Sequence, residues 1–355
     1  MIIRLPSVYL GTMTFGWRGQ TSSFVDTQIA SKMIESFVES QKEETAVHID
    51  CARIYAGGDS EKILRDATSA YVNKSPTLLI GTKAHPSQPD GLSEKGIMIQ
   101  LEKSLEAMGA ESVDEYYLHQ PDKNNSLLES LQTCDNLIKQ GKISSIGMSN
   151  YHASEVQRAF ELCQEHSLAK PSVYQGLYNP LNRCIEEDLL PVLRQNGCKF
   201  IAYNPLAAGL LTGKHLDSGE VKEGRFKNNP NYMPRFYTPV HFEALKIIQS
   251  ACDDSGMNMV EATYVWLLRH SSLSESDGLL LGASSLEQLE QNLKSCSTAS
   301  ESKLPQEVID AFDKAWELIE SGEERPFPYW RSYSKDMPNK DNLDQGASYN
   351  AAKAK

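Results

Sequence analysis

The sequence predicts an α/β fold, a (β/α)8 TIM barrel with a long loop after strand 7 and an extra C-terminal helix. Eight short β-rich runs alternate with amphipathic helical stretches along the 355 residues. Strands separated by helices pair in parallel through right-handed crossovers. The closed form of eight such units is the barrel, and its usual size of about 250 residues plus insertions fits the chain. A doubly wound open sheet is the alternative on the same pattern.

The predicted strands are SVYLGTMTFG (7–16), AVHIDCARIY (46–55), TLLIGTKA (77–84), VDEYYLHQ (113–120), ISSIGMSN (143–150), SVYQGLYN (172–179), CKFIAYNPL (198–206) and DGLLLGAS (277–284). Helical periodicity fills the intervals: 27–41, 60–72, 96–109, 127–142, 154–166, 184–197 and 242–254 running on to 259–270, with 285–296 after the last strand. Ile97, Leu101, Ser104, Leu105 and Met108 show the spacing that puts one face of a helix on a core. Two segments stand outside the repeat. Residues 215–240 are rich in Gly, Pro, Asn and charge, and predict a loop leaving the end of a strand where barrel enzymes keep their sites. Residues 305–321 predict the extra helix. A single domain over 1–333 and a disordered polar tail over 334–355 complete the expected organisation.

Thirty-five Lys and Arg against 47 Asp and Glu leave a net charge of −12. An acidic surface argues against nucleic acid and against an anionic membrane. No run reaches the roughly 18 apolar residues of a membrane-spanning helix. The first residues lack the layout of a signal peptide. Seven cysteines, with no Cys-x-x-Cys, read as reduced thiols of a cytoplasmic protein with no zinc site.

Barrel chemistry sits at the C-terminal ends of strands. There the sequence places Asp50 and Tyr55 after the second strand, Lys83 after the third, His119 after the fourth, Ser149 and Asn150 after the fifth, Gln175 in the sixth and Asn204 after the seventh. Singly, each has an ordinary reading: a packed Tyr, a solvated Lys, a capping Asp, a hydrogen-bonded His. As a set they make chemistry. A Lys ammonium beside a Tyr stabilises the phenolate and so tunes the phenol as a proton donor. A buried Lys needs a carboxylate, which Asp50 offers. His119 can orient a carbonyl oxygen.

With these residues placed, the chain resembles the aldo-keto reductase superfamily, whose tetrad is Asp, Tyr, Lys and His on these strands. The pattern H-x-D-x-A-x-x-Y stands here as His48-Ile-Asp50-Cys-Ala-Arg-Ile-Tyr55. YLHQPD (117–122), GKISSIGMSNY (141–151), VYQGLYN (173–179), YNPLAAGLLTGK (203–214), GRF (224–226) and LGASSLEQLEQN (281–292) resemble the aflatoxin-aldehyde and succinic semialdehyde reductase subfamily. The likeness covers about residues 7 to 331.

The resemblance implies NADPH/NADP+ bound without a Rossmann fold, in keeping with a chain that has no Gly-x-Gly-x-x-Gly after a strand. Ser149, Asn150 and Gln175 would hold the nicotinamide. The stretch from Asn204 through Pro205, Leu206, Ala208, Gly209 and Leu210 to Lys214 would follow the pyrophosphate. Arg225, Gly282, Ser284, Ser285, Gln288, Gln291 and Asn292 would surround the adenosine and its 2′-phosphate, at a helix N-terminus. Tyr232, Arg235 and Arg331, with His119, would receive the substrate. Trp17, Tyr151 and Trp330 are candidate apolar walls. The implied activity is reduction of a small-molecule carbonyl compound to an alcohol, with no metal, in a homodimer. A narrow pathway reductase or dehydratase, and a non-catalytic redox-sensing subunit, are the alternatives. Cys51 and Arg53-Ile54 depart from the common pattern, and strand alternation turns Cys51 away from Asp50.

Overall fold

A computed structural model describes residues 4–18, 24–72, 74–214, 226 and 232–347. Among them, eight parallel strands form a closed barrel in chain order: β1 Ser7–Gly11, β2 Ala46–Asp50, β3 Thr77–Ala84, β4 Val113–Leu118, β5 Ile143–Ser149, β6 Val173–Leu177, β7 Lys199–Tyr203 and β8 Gly278–Gly282. The β1 strand pairs with both β2 and β8, which closes the ring and leaves no sheet edge. The barrel is therefore as the alternation predicts, and the open sheet is excluded.

The helices are α1 Thr27–Ser40, α2 Asp59–Thr68, α3 Glu94–Met108, α4 Leu127–Lys139, α5 Ala153–Glu165, α6 Leu189–Gln195, α7 Met233–Phe236, α8 Pro239–Asp254, α9 Met259–Arg269, α10 Leu286–Glu301 and α11 Gln306–Glu320. Side chains cap several at their starts: Asp26, Ser93, Ser126, Asn258 and Ser285 each accept from a first-turn N–H. The element expected over 184–197 divides into a 3-10 turn, Cys184–Glu186, and α6. Pro191 has no N–H to donate, so it is tolerated in the first turn of α6, where that N–H has no intrahelical acceptor. The long loop is helical at its end, as α7, and Pro239 opens α8. Residues 215–225 and 227–231 lie outside the described residues. The extra helix is α11; it packs on α8, burying Val308, Ala311, Phe312, Ala315, Trp316 and Ile319.

The main apolar core lies between barrel and helices, and Cys51 belongs to it. A second cluster, Tyr9, Tyr117, Val173 and Ile201, fills the barrel itself. Below it, Lys199 Nζ donates to Glu115 Oε1 (2.7 Å) and Tyr9 Oη (2.8 Å), and Tyr117 Oη donates to Glu115 Oε2 (2.5 Å). The barrel interior is therefore filled by side chains. No described helix is long and apolar enough to cross a membrane.

Residues 334–347 of the tail lie among the described residues and make specific contacts. Asp336 accepts from Ser126 Oγ (2.9 Å) and the Leu127 N–H (2.9 Å) at the start of α4, and from Arg158 of α5 (2.8 Å). Ser334 donates its N–H to Glu155 (2.9 Å), and Ala347 donates to the Trp330 carbonyl (2.8 Å). A carboxylate docks on the positive end of a helix, and polar composition alone does not reveal that. Residues 348–355 lie outside the described residues.

Candidate active site

Parallel pairing brings the ends of β2, β3 and β4 to one level. Asp50 is opposite Gly81, and Lys83 is opposite Tyr117. From there Lys83 Nζ reaches Asp50 Oδ1 at 2.5 Å and the Cys51 carbonyl at 2.6 Å. The ammonium lies 5.4 Å from the centre of the Tyr55 ring. Asp50 Oδ1 also accepts from Gln175 Nε2 at 2.8 Å. Burial pushes the Asp50 carboxyl up, against the pull of the Lys83 ammonium and the Gln175 amide.

Tyr55 opens a 3-10 turn, Tyr55–Gly58, and its ring meets the His119 ring edge-on with centres 6.0 Å apart. His119 follows β4 directly. Its N–H donates to the Ala84 carbonyl (3.0 Å), and its own carbonyl accepts from Asn150 Nδ2 (2.8 Å). Burial holds the imidazole well below its usual range, and the His85, Lys83 and Arg331 charges add to this. It is therefore neutral at neutral pH, and Nδ1 has no hydrogen-bond partner. The structure thus brings together Asp50, Tyr55, Lys83 and His119.

The neighbouring candidates surround this point. Ser149 and Gln175 are paired across β5 and β6. Asn150 takes a left-handed backbone (φ 62) and spends its amide within the protein: Nδ2 donates to Ser149 Oγ (2.9 Å), and Oδ1 accepts from Tyr203 Oη (2.8 Å). After β7, Asn204, Ala207, Ala208 and Gly209 all have positive φ, at 57, 48, 60 and 103. Pro205 and Leu210 are buried, Leu206 and Ala208 are half-buried, and Lys214 is exposed. A methyl group added at Gly209 would meet no atom within 4 Å, so the space beside this turn is open, although its φ suits glycine. After Gly282, which ends β8, Ser285 caps α10 and Gln288 folds back to accept from Ser284 N (3.0 Å) and Oγ (2.9 Å). Asn292 is buried and donates to the Gly282 carbonyl (3.4 Å); Gln291 is exposed. Arg225 lies outside the described residues.

The two arginines converge. Arg235, in α7, lies 5.0 Å from the Tyr232 ring centre and 4.9 Å from that of Phe327. Arg331 lies 6.0 Å from the same Phe327 ring, and its N–H donates to the Asn150 carbonyl (3.0 Å). Their charges oppose the rise that burial imposes on the Tyr203 hydroxyl. Of the proposed apolar walls, Tyr151 is fully buried and bonds to the Gln120 carbonyl (3.2 Å), while Trp330 packs on His152.

Sequence reasoning missed His85. Its ring meets that of His119 edge-on at 5.1 Å, and burial beside Arg331 pushes it down to about 4. The signal was available: residues two apart on a strand share a face, and His85 is two beyond Lys83. It missed Tyr203 and Phe327 as well, whose roles arise only from tertiary contacts.

The Aldo/keto reductase family model matches residues 7–317. The chain is similar to aflatoxin B1 aldehyde reductase member 2 of Rattus norvegicus, at 37% identity over 88% of this chain and 85% of that protein. It is likewise similar to human aldo-keto reductase family 7 member A3, at 37% over 88% and 95%. Oxidoreductase sirO of Leptosphaeria maculans is 32% identical over 88% and 94%. The chain therefore belongs to the Aldo/keto reductase family and is an oxidoreductase that acts on carbonyl groups.

Proposed function

We propose that this protein reduces aldehydes and ketones to alcohols with NADPH, and that Tyr55 is the proton donor. One observation carries the reading: a buried ammonium, Lys83, stands between a carboxylate, Asp50, and the Tyr55 ring, with the neutral His119 against that ring. The residues at the strand ends suit a dinucleotide. Ser149 and Gln175 stand beside the tetrad, the left-handed turn at 207–209 leaves room for close backbone approach, and the capped start of α10 offers N–H groups to a phosphate. Ser284, Gln288, Gln291 and Asn292, with Arg225, are proposed for the adenosine end. When bound, the cofactor supplies the hydride that reaches the carbonyl carbon.

The chain's own groups do the rest. His119 donates a hydrogen bond to the carbonyl oxygen and fixes its direction. As the C=O electron pair moves onto oxygen, the Tyr55 hydroxyl gives up its proton there, and the O–H bond of the alcohol forms. Lys83 stabilises the phenolate left behind, and Asp50 holds Lys83 in place. The phenolate regains its proton from solvent. Arg235 and Arg331 give the mouth a positive wall that favours substrates bearing a carboxylate. The homodimer and the cytoplasmic location are part of the same proposal.

Loss of absorbance at 340 nm tests it, with succinic semialdehyde, 4-nitrobenzaldehyde, methylglyoxal and 9,10-phenanthrenequinone as substrates. NADPH should serve better than NADH, and Tyr55→Phe should lose about 10²- to 10⁴-fold in rate while still binding NADPH. Full activity in Tyr55→Phe would overturn the assignment of the proton donor.

A further inference from the structure

The turn that carries Tyr55 is unusual in its backbone. Ala56, Gly57 and Gly58 are all left-handed, with φ of 44, 64 and 101, and α2 starts directly afterwards. A left-handed backbone at a non-glycine residue costs energy and persists only where surrounding structure holds it. Here the holder is Arg53, inside the Asp50 to Tyr55 motif. Its guanidinium crosses over Gly58 so closely that a Cβ there would lie 1.6 Å from Nη2. It forms an ion pair with Glu61 of α2, which is fully buried. It also reaches the carbonyls of Gly57 (3.5 Å) and Lys103 (3.5 Å). The other oxygen of Glu61 accepts from Thr82 Oγ1 at 2.8 Å, and Thr82 immediately precedes Lys83. The Arg53 N–H donates to the Lys83 carbonyl (3.3 Å).

One buried carboxylate thus ties the turn bearing Tyr55 to the strand bearing Lys83. We infer that Arg53 and Glu61 are positioning residues, which set Tyr55 against Lys83 through Thr82 on the outer side of the barrel. This rests on the reading of Tyr55 as proton donor. Neither residue touches substrate. The chemical reason for the device is that phenolate stabilisation by an ammonium falls off with separation, and a misplacement of about 1 Å can cost about 100-fold in rate.

A buried ion pair can also be merely structural, and replacing both partners by apolar residues is then often neutral for stability. The double variant Arg53→Met/Glu61→Leu separates the two roles. Expected are a melting temperature near that of the wild type, NADPH affinity by fluorescence titration within about twofold, and KM within about threefold. The rate kcat should fall about 10- to 100-fold, and in alcohol oxidation the ionisation of Tyr55 should move to higher pH, because Lys83 stabilises the phenolate less. Unchanged kcat and an unchanged pH profile in a folded double variant would overturn the inference. Should that variant not fold, Thr82→Val cuts the link to β3 and leaves the ion pair; a kcat within twofold of wild type there overturns it too, and a fall of about tenfold supports it. Failure of the underlying reading is distinguishable, since it shows as full activity in Tyr55→Phe.

Discussion

Lys83 Nζ lies 2.5 Å from Asp50 Oδ1, and both side chains are buried. Removing one partner of such a pair leaves a charge with little to offset its desolvation. Lys83→Met should therefore lose about 3–5 kcal/mol of stability at neutral pH, as well as nearly all turnover. The loss should shrink as pH falls toward the ordinary carboxylate range, because burial without Lys83 favours the protonated Asp50 in the folded state. Urea unfolding at several pH values measures this; a loss that does not vary with pH would mean that Asp50 stays ionised in the folded variant.

His119 is held neutral by burial, beside the His85 ring and the positive charges of Lys83 and Arg331. Its protonation should therefore contribute no acid limb to kcat/KM for reduction between pH 5 and 8. The pH–rate profiles of wild type and His119→Gln should differ in height, by about 10²-fold or more, with parallel shapes over that range. An acid limb near pH 6.5 that vanishes in His119→Gln would show that the imidazole is charged in the working enzyme.

The barrel, and the closeness of Asp50, Tyr55, Lys83 and His119, were legible because both depend on local spacing. Amphipathic helices between apolar runs leave parallel closure as the simplest burial, and successive strand ends put Asp50, Lys83 and His119 at one mouth. What was not legible depends on partners distant in sequence. Gln175 binds Asp50 across 125 residues, and Asp336 meets Ser126 across 210. Neither residue type nor spacing marks those contacts. Arg53 stood out as a departure from the family pattern, but its role is visible only with Glu61 beneath it.

Arg331 lies at the mouth, and its charge reaches His85, His119 and Tyr203. If it receives a substrate carboxylate, Arg331→Met should raise KM for succinic semialdehyde by about 10- to 100-fold, the range of a charge-assisted hydrogen bond. KM for uncharged 4-nitrobenzaldehyde should stay within about threefold. An equal rise for both substrates would assign the Arg331 side chain to shaping the mouth and not to a substrate carboxylate, since its backbone N–H bond to the Asn150 carbonyl survives the substitution.

Glu155 gives the docked tail a pH dependence whose sign can be worked out. Burial raises its carboxyl from 4.5 to about 7, against the Ser334 hydrogen bonds and the Arg158 charge, and Asp336 adds to the rise. The folded chain therefore prefers the protonated acid. The stability this gives is fully present below pH 4.5 and is lost as pH rises to about 7. A rise from 4.5 to about 7 corresponds to about 3 kcal/mol. His85 and His241, each pushed down to about 4 by burial, act in the opposite direction, losing stability as pH falls below 6.5. Their effect is common to wild type and Glu155→Gln, so it cancels in the comparison. Glu155→Gln should thus gain on the wild type by up to about 3 kcal/mol between pH 4.5 and 8, read as urea midpoints at each pH. A constant difference across that range would mean that Glu155 is ionised in the folded protein, with its charge balanced by Arg158.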